Sequence, residues 1–192
     1  GIGAVGFARL IGEHGSGQAA VQALLRSKKP VADNRKIETE IARVHEIQAR
    51  HIFLEEPDYP PLLAQLQAPP PLLIATGNPA LARRPVVAIV GARNASAAGQ
   101  GLAAEFARGL SEAGVVVVSG LARGIDAAAH RASLAGGTIA CVAGGPDIAY
   151  PPENENLQWQ VAEAGLLVTE APPRTQPMAR HFPRRNRLIA GM

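Results

Sequence analysis

Several stretches of the sequence combine glycines, arginines and polar side chains at spacings that can hold a ligand. The first is Gly91-Ala92-Arg93-Asn94-Ala95-Ser96-Ala97-Ala98-Gly99. It has neither the G-x-G-x-x-G dinucleotide fingerprint nor the G-x-x-x-x-G-K-[ST] phosphate loop. It can still take an anion. A glycine lets a ligand approach the backbone, a following helix N-terminus offers free N–H groups, and Arg93 adds a fork of donors. Ser96 is the natural cap of that helix and competes for the same donors. A plain turn with Arg93 in solvent is the alternative.

The second stretch is Ser119-Gly120-Leu121-Ala122-Arg123-Gly124, followed by Ile125-Asp126-Ala127-Ala128-Ala129-His130. Asp126 falls in a first helical turn, where a carboxylate is favourable. Asp126 and His130 are four residues apart and share a helix face. An acid–base pair would need a nucleophile of the strand–turn–helix type, and none accompanies them. They are expected to shape the loop. A third loop contains Gly144-Gly145-Pro146 and then Tyr150-Pro151-Pro152. Tyr150 can stack on a base or simply stand at a rim. The fourth stretch is Arg180-His181-Phe182-Pro183-Arg184-Arg185-Asn186-Arg187. Arginines neutralise phosphates, an aromatic face stacks a base, and an asparagine can read a base edge, so this cluster suits single-stranded nucleic acid. A solvated arginine loop is the competing reading.

These loops need elements to hold them. Apolar runs begin at residues 86, 115, 138 and 166, separated by 29, 23 and 28 residues. Between them lie helical stretches: one with Leu102, Phe106 and Leu110 on its apolar face, then Ile125–Ala135 and Glu153–Ala164. The rhythm suits βαβ units. Strands apolar throughout imply a parallel sheet covered on both faces. Right-handed crossovers then place every strand C-terminus, and all these loops, along one edge. Cys141 lies inside a strand and Trp159 mid-helix, and both are expected to pack. Residues 51–84 read as a proline-punctuated connector with short strands at His51–Leu54 and Leu72–Ala75. Residues 1–50 read as small helices, with Gly15-Ser16-Gly17 as a break and Asp33 or Asn34 capping a helix that carries Ile37, Ile41, Val44 and Ile47. The fold class is therefore α/β, with a small helical domain over 1–50, a connector over 51–84 and a Rossmann-like domain over 85–192.

Composition sets bounds. Of 192 residues, 47% are hydrophobic, 18% charged and only 4% aromatic, so an aliphatic core is available. No apolar run reaches the ~18 residues of a membrane helix, and the N-terminus lacks a signal-peptide pattern. The single cysteine excludes an intramolecular disulfide framework and an all-cysteine zinc site. No metal or cofactor is implied, and a reducing cytoplasm fits. The net charge is +3, but residues 171–192 hold five arginines and no acid. The chain opens on Gly1-Ile2-Gly3 and closes on Ala190-Gly191-Met192, and both ends are expected to be cut.

Together, Val87-Ala88-Ile89-Val90-Gly91-Ala92-Arg93, the stretch Ser119 to Asp126 with Ala128-Ala129-His130, Tyr150-Pro151, and the stretch Phe182 to Gly191 resemble the DNA-processing protein A (DprA/Smf) family. Glu56-Pro57-Asp58-Tyr59-Pro60-Pro61-Leu62-Leu63 extends the likeness upstream. The resemblance implies an extended Rossmann-like domain whose C-terminal part lies beyond this chain. It implies a non-catalytic, homodimeric protein that binds single-stranded DNA, protects incoming DNA and loads the recombinase RecA during natural transformation. By resemblance the phosphate-holding arginine is Arg93, in a pocket built by Gly91, Ala92, Ser119, Gly120, Gly124 and Gly144. Arg123, Phe182, Arg184, Arg185, Asn186 and Arg187 would add contacts. Two departures stand out. Ala92 replaces the family's more usual serine, and Pro152 stands where many members carry a DNA-contacting lysine. Gly1-Ile2-Gly3 and the helix after it resemble half of a helix–hairpin–helix or SAM-like module. The rival reading is a Rossmann-like nucleoside-monophosphate phosphoribohydrolase, although its Pro-Gly-Gly-x-Gly-Thr loop is not found.

Overall fold

The computed structural model describes residues 2–192. Its centre is a six-stranded sheet in the order β1-β2-β6-β5-β4-β3. The strands are β1 (Arg50–Phe53), β2 (Leu72–Gly77), β3 (Val86–Ala88), β4 (Val116–Ser119), β5 (Thr138–Cys141) and β6 (Leu166–Thr169). The helices are α1 (Ala4–His14), α2 (Gly17–Arg26), α3 (Asn34–Glu46), α4 (Ala97–Glu112), α5 (Ile125–Ser133), α6 (Glu155–Ala164) and α7 (His181–Gly191).

Strands β3 to β6 pair in parallel, as their run-and-helix rhythm requires. Alternate residues feed opposite faces. Val116, Val118, Ile139, Cys141, Leu166 and Val168 join one core, closed by α7 through Leu188 and Ile189. Val117 turns the other way to Ala107 of α4 and Ala129 of α5. Ala140 and Leu167 face Leu157 and Val161 of α6. The three central strands are buried along their whole length. Strand β3 is different: it stands at the sheet edge, and Val87 is exposed.

The proline-rich stretch carries more structure than a connector. Strands β1 and β2 add antiparallel to the sheet through β6. Leu73 and Ala75 reach the α7-side core together with Ile52, Tyr59 and Leu63. The Tyr59 hydroxyl donates to the Pro70 carbonyl at 2.7 Å, and burial raises its pKa. On the opposite face, Ile74 packs against Val44 of α3 and Ala49.

Ser16 caps α2 and Asp33 caps α3, each accepting a bond from a backbone N–H of the first turn. Of α1 and α2 only Ala20 is buried. The expectation for a helix–hairpin–helix start touches Gly1, which lies outside the described residues.

Two side-chain expectations are corrected. The stripe on α4 that packs inward is Ala103 and Ala107, not Leu102 and Phe106, which are 55% and 61% exposed. Small alanines let α4 approach α5 and β4 closely, and the bulkier stripe then points away. Trp159 is likewise 55% exposed rather than packed.

His130 is fully buried beneath α5. The Thr138 hydroxyl donates to the Val117 carbonyl at 2.7 Å. Its single proton is thereby used, so His130 Nδ1–H donates to the Thr138 oxygen at 2.9 Å. Nε2 has no partner among the described residues. Burial, reinforced by the Arg185 charge, holds the imidazole pKa down at about 3. The group is neutral in the folded protein.

Leu73→Ala should cost about 2–5 kcal/mol because the side chain is fully buried, whereas Leu102→Ser should stay within about 0.5 kcal/mol. Urea midpoints decide; a small loss at Leu73 would make β2 an appendage. The His130 pKa is lower folded than unfolded, so its contribution is complete above about pH 6.5 and is lost as pH falls toward 3. The stability gap between wild type and His130→Gln should therefore narrow by roughly 1.4 kcal/mol per pH unit below 6.5. A pH-independent gap would contradict a buried neutral imidazole.

Candidate nucleic-acid interface

The C-terminal ends of β3, β4, β5 and β6 open on one edge of the sheet, and the loops there build two adjoining clefts. The first, of about 290 Å³, lies among Arg93, Arg123, Tyr150, Pro151, Phe182 and Arg185. The second, of about 360 Å³, lies among Val90, Gly91, Arg93, Asp126, Arg185 and Asn186. Arg93 and Arg185 border both.

Asp126 fixes the floor. From the first turn of α5 its carboxylate accepts the Gly120 N–H at 3.2 Å and the Gly91 N–H at 3.4 Å. One buried side chain thus ties the loop after β3 to the loop after β4. It takes one backbone donor from each of the two loops. At the start of α4 the Ser96 hydroxyl accepts the Gly99 N–H at 3.1 Å. Ser119 faces inward, and its hydroxyl donates to the Ile89 carbonyl at 2.6 Å. Asp126 and His130 share a helix but serve different partners: one the loops, the other the sheet.

Two glycines here are required by close approach. Gly124 has φ of +73° and opens α5, and a Cβ there would overlap the Ala92 carbonyl. At Gly120 a Cβ would overlap the Arg185 guanidinium.

Arg185 is 7% exposed. Its Nη1 donates to the Gly120 carbonyl and, at 2.9 Å, to the Cys141 carbonyl. Its Nε donates to Asn186 Oδ1 at 3.2 Å. Burial lowers its pKa, with the nearby Arg93 charge pushing the same way. Cys141 is buried as expected, and burial pushes its thiol up to about 12. Arg185 therefore spends its charge on strand-end carbonyls and forms the base of the cleft.

Above it stand the aromatics. Phe182 lies 5.6 Å from Tyr150, ring centre to ring centre, at 49°. The Arg93 guanidinium sits 5.3 Å from the Phe182 ring centre and that of Arg185 5.9 Å away. Tyr150 is 46% exposed, so its ring is accessible. Arg93 is exposed and carries no ion pair among the described residues. It is the cleft's available cation.

The other arginines are engaged elsewhere. Arg187 donates to the Ala68 carbonyl at 2.8 Å and bonds Glu170, stitching α7 to the β1–β2 segment. Arg184 lies 3.7 Å from Glu170 and is largely exposed. Arg123 pairs with Glu153 at the cleft rim. Asn186 borders the second cleft, apart from Phe182. Gly144 is buried behind the aromatic cleft, where its carbonyl accepts from the Thr169 hydroxyl at 2.8 Å. The structure thus brings Arg93, Arg123, Phe182 and Arg185 to one cleft, and places Arg184 and Arg187 beside Glu170.

Sequence reasoning left Tyr150 open between stacking on a base and standing at a rim, and passed over Asn154. Asn154 is buried, and its amide donates to the Leu121 and Ala122 carbonyls at 2.9 and 3.3 Å. The signal for both was the Tyr150-Pro151-Pro152 run, which stiffens the chain where it meets the second loop.

Comparison with known proteins identifies the family and the fold. Residues 50–192 match the model of the DNA recombination-mediator protein A family. DNA processing protein DprA of Streptococcus pneumoniae is 43% identical over 136 residues, 70% of this chain and 48% of that protein. DprA of Bacillus subtilis is 37% identical over 160 residues, 82% of this chain and 54% of that protein. The chain thus spans about half the length of these curated relatives. The X-ray structure of the S. pneumoniae protein superposes with a TM-score of 0.75 at 36% identity, covering 83% of this chain and 55% of that one. A structure giving insight into the single-stranded DNA binding mode of DNA processing protein A from Helicobacter pylori superposes with a TM-score of 0.68 at 31% identity, covering 75% and 65%. With its parallel strands, its arginine-and-aromatic cleft and a match running from β1 to Met192, the chain belongs to the DNA recombination-mediator protein A family, that of the DprA and Smf proteins.

Proposed function

We propose that this protein binds single-stranded DNA at the aromatic cleft and acts by holding the strand rather than by catalysis. In this reading it protects incoming DNA and hands it to RecA during natural transformation, in the cytoplasm and as a homodimer. The observation that carries the reading is the juxtaposition of Arg93, without a carboxylate partner among the described residues, with the Phe182–Tyr150 pair. A guanidinium can take a phosphate while an adjacent aromatic face takes the base attached to it. The S. pneumoniae and B. subtilis relatives are named for DNA processing, and the H. pylori structure concerns single-stranded DNA binding. No helix among the described residues is long and apolar enough to cross a membrane.

Anisotropy of fluorescent oligo-dT across a salt series tests the reading, with duplex DNA and AMP as competitors. If about four phosphates are neutralised, log K against log salt should slope near −3. Duplex and AMP should displace the oligonucleotide poorly. A flat salt response with efficient AMP competition would point instead to a nucleotide-binding enzyme. Arg93→Ala should lose about 1.5–3 kcal/mol of binding and Phe182→Ala about 1–3 kcal/mol. Unchanged affinity in both variants would remove the cleft from the binding path.

A further inference from the structure

The first cleft is crowded with like charge. Arg93, Arg123 and Arg185 all border it. Asp126, which borders the second cleft, is committed to the Gly91 and Gly120 amides. Glu153 reaches the first cleft through Arg123, whose Nη2 its Oε1 bonds. Among the described residues this is the one salt bridge made by a cleft arginine.

The meeting of these side chains is prepared by the backbone. Glu153 sits in a short 3-10 turn, Pro152–Asn154, directly before α6. The next residue, Asn154, is 5% exposed and clamps the carbonyls of Leu121 and Ala122. Those two residues directly precede Arg123. Leu121 is itself held at φ of 56°, in the left-handed region that a bulky side chain seldom adopts. Its side chain is fully buried, so the loop has little freedom to carry Arg123 elsewhere. Both partner backbones are thus pinned while both side chains stay accessible to a ligand: Arg123 is 56% and Glu153 49% exposed.

We infer that Glu153 is a built-in competitor for DNA, occupying at Arg123 the position that a nucleotide phosphate takes in the complex. The inference rests on the single-stranded DNA reading of the cleft. A carboxylate and a phosphate present the same acceptor oxygens to a guanidinium. The empty cleft supplies its own counter-anion, and a bound strand must displace it. Glu153 therefore weakens binding at Arg123 and favours ligands that bring a phosphate to that point.

Oligo-dT anisotropy at low salt tests this on wild type, E153Q, R123A and the double variant. E153Q should bind about three- to fivefold tighter, the effect of freeing one exposed charge pair. The gain should shrink as salt rises. In the R123A background E153Q should bring no gain, because the competition needs the arginine. Equal or weaker binding by E153Q overturns the inference, and so does the same gain with and without Arg123, which would report only a change in net charge. Wild-type protein that fails to bind oligo-dT would defeat the DNA reading itself and this inference with it. Wild-type binding with a silent E153Q would defeat the Glu153 inference alone.

Discussion

The cleft depends on a buried guanidinium. Arg185 reaches from α7 under the ends of β4 and β5 and donates to the carbonyls of Gly120 and Cys141. A charge this deep is expensive unless its donors are satisfied. Here the Gly120 and Cys141 carbonyls accept from Nη1 and the Asn186 side chain from Nε. The same side chain lies under Phe182 and beside Arg93. Much else is arranged around it. Gly120 must be a glycine because a side chain would collide with the guanidinium. The guanidinium also lies 5.9 Å from the Phe182 ring centre. The helix that brings Arg185 is itself anchored by Leu188 and Ile189 in the sheet core and by Arg187 on the Ala68 carbonyl.

This division of labour among arginines separates scaffold from surface. Arg185 and Arg187 face carbonyls and a carboxylate inside the protein, so they hold loops together. Arg93 is exposed and unpaired among the described residues, and Arg123 stands at the rim against Glu153. A run of five arginines in the last 22 residues reads in the sequence as a uniform basic strip. In three dimensions it divides: Arg185 and Arg187 are spent on partners inside the protein, Arg184 is largely exposed beside Glu170, and Arg174 and Arg180 are exposed and make no ion pair among the described residues. What reaches the first cleft from that strip is an aromatic ring and the partly shielded edge of one guanidinium.

Much of the sheet was legible from the sequence. The four apolar runs had helix-length spacers, and only a parallel βαβ arrangement satisfies both the spacing and the unbroken hydrophobicity. The loops of interest fell at strand ends for the same reason. Less legible was the direction in which individual side chains point. Leu102 and Phe106 have the spacing of a buried stripe, yet alanines one position on allow closer helix packing and win. Strands β1 and β2 were visible as short runs, but their antiparallel pairing onto β6 is a tertiary outcome that no local pattern encodes. The shared role of Asp126 was half visible: helix position marked it as loop-shaping, while its reach to Gly91, 35 residues away, needed the fold.

That reach has a consequence for what the edge can recognise. Many phosphate sites on α/β sheets are nests of backbone N–H groups, rigid enough to hold one isolated anion. Here an internal carboxylate takes one N–H from each of two loops, at Gly91 and Gly120. Those two amides are not offered to an isolated anion, and the arginines of the first cleft stand on different elements, Arg93 and Arg123 on two loops and Arg185 on α7. Such a surface gains strength by multivalency: a ligand whose phosphates are covalently linked engages successive points at high effective concentration, while a free phosphate meets each point alone. By spreading its cations over separate elements, the fold trades affinity for a monomer against avidity for a chain.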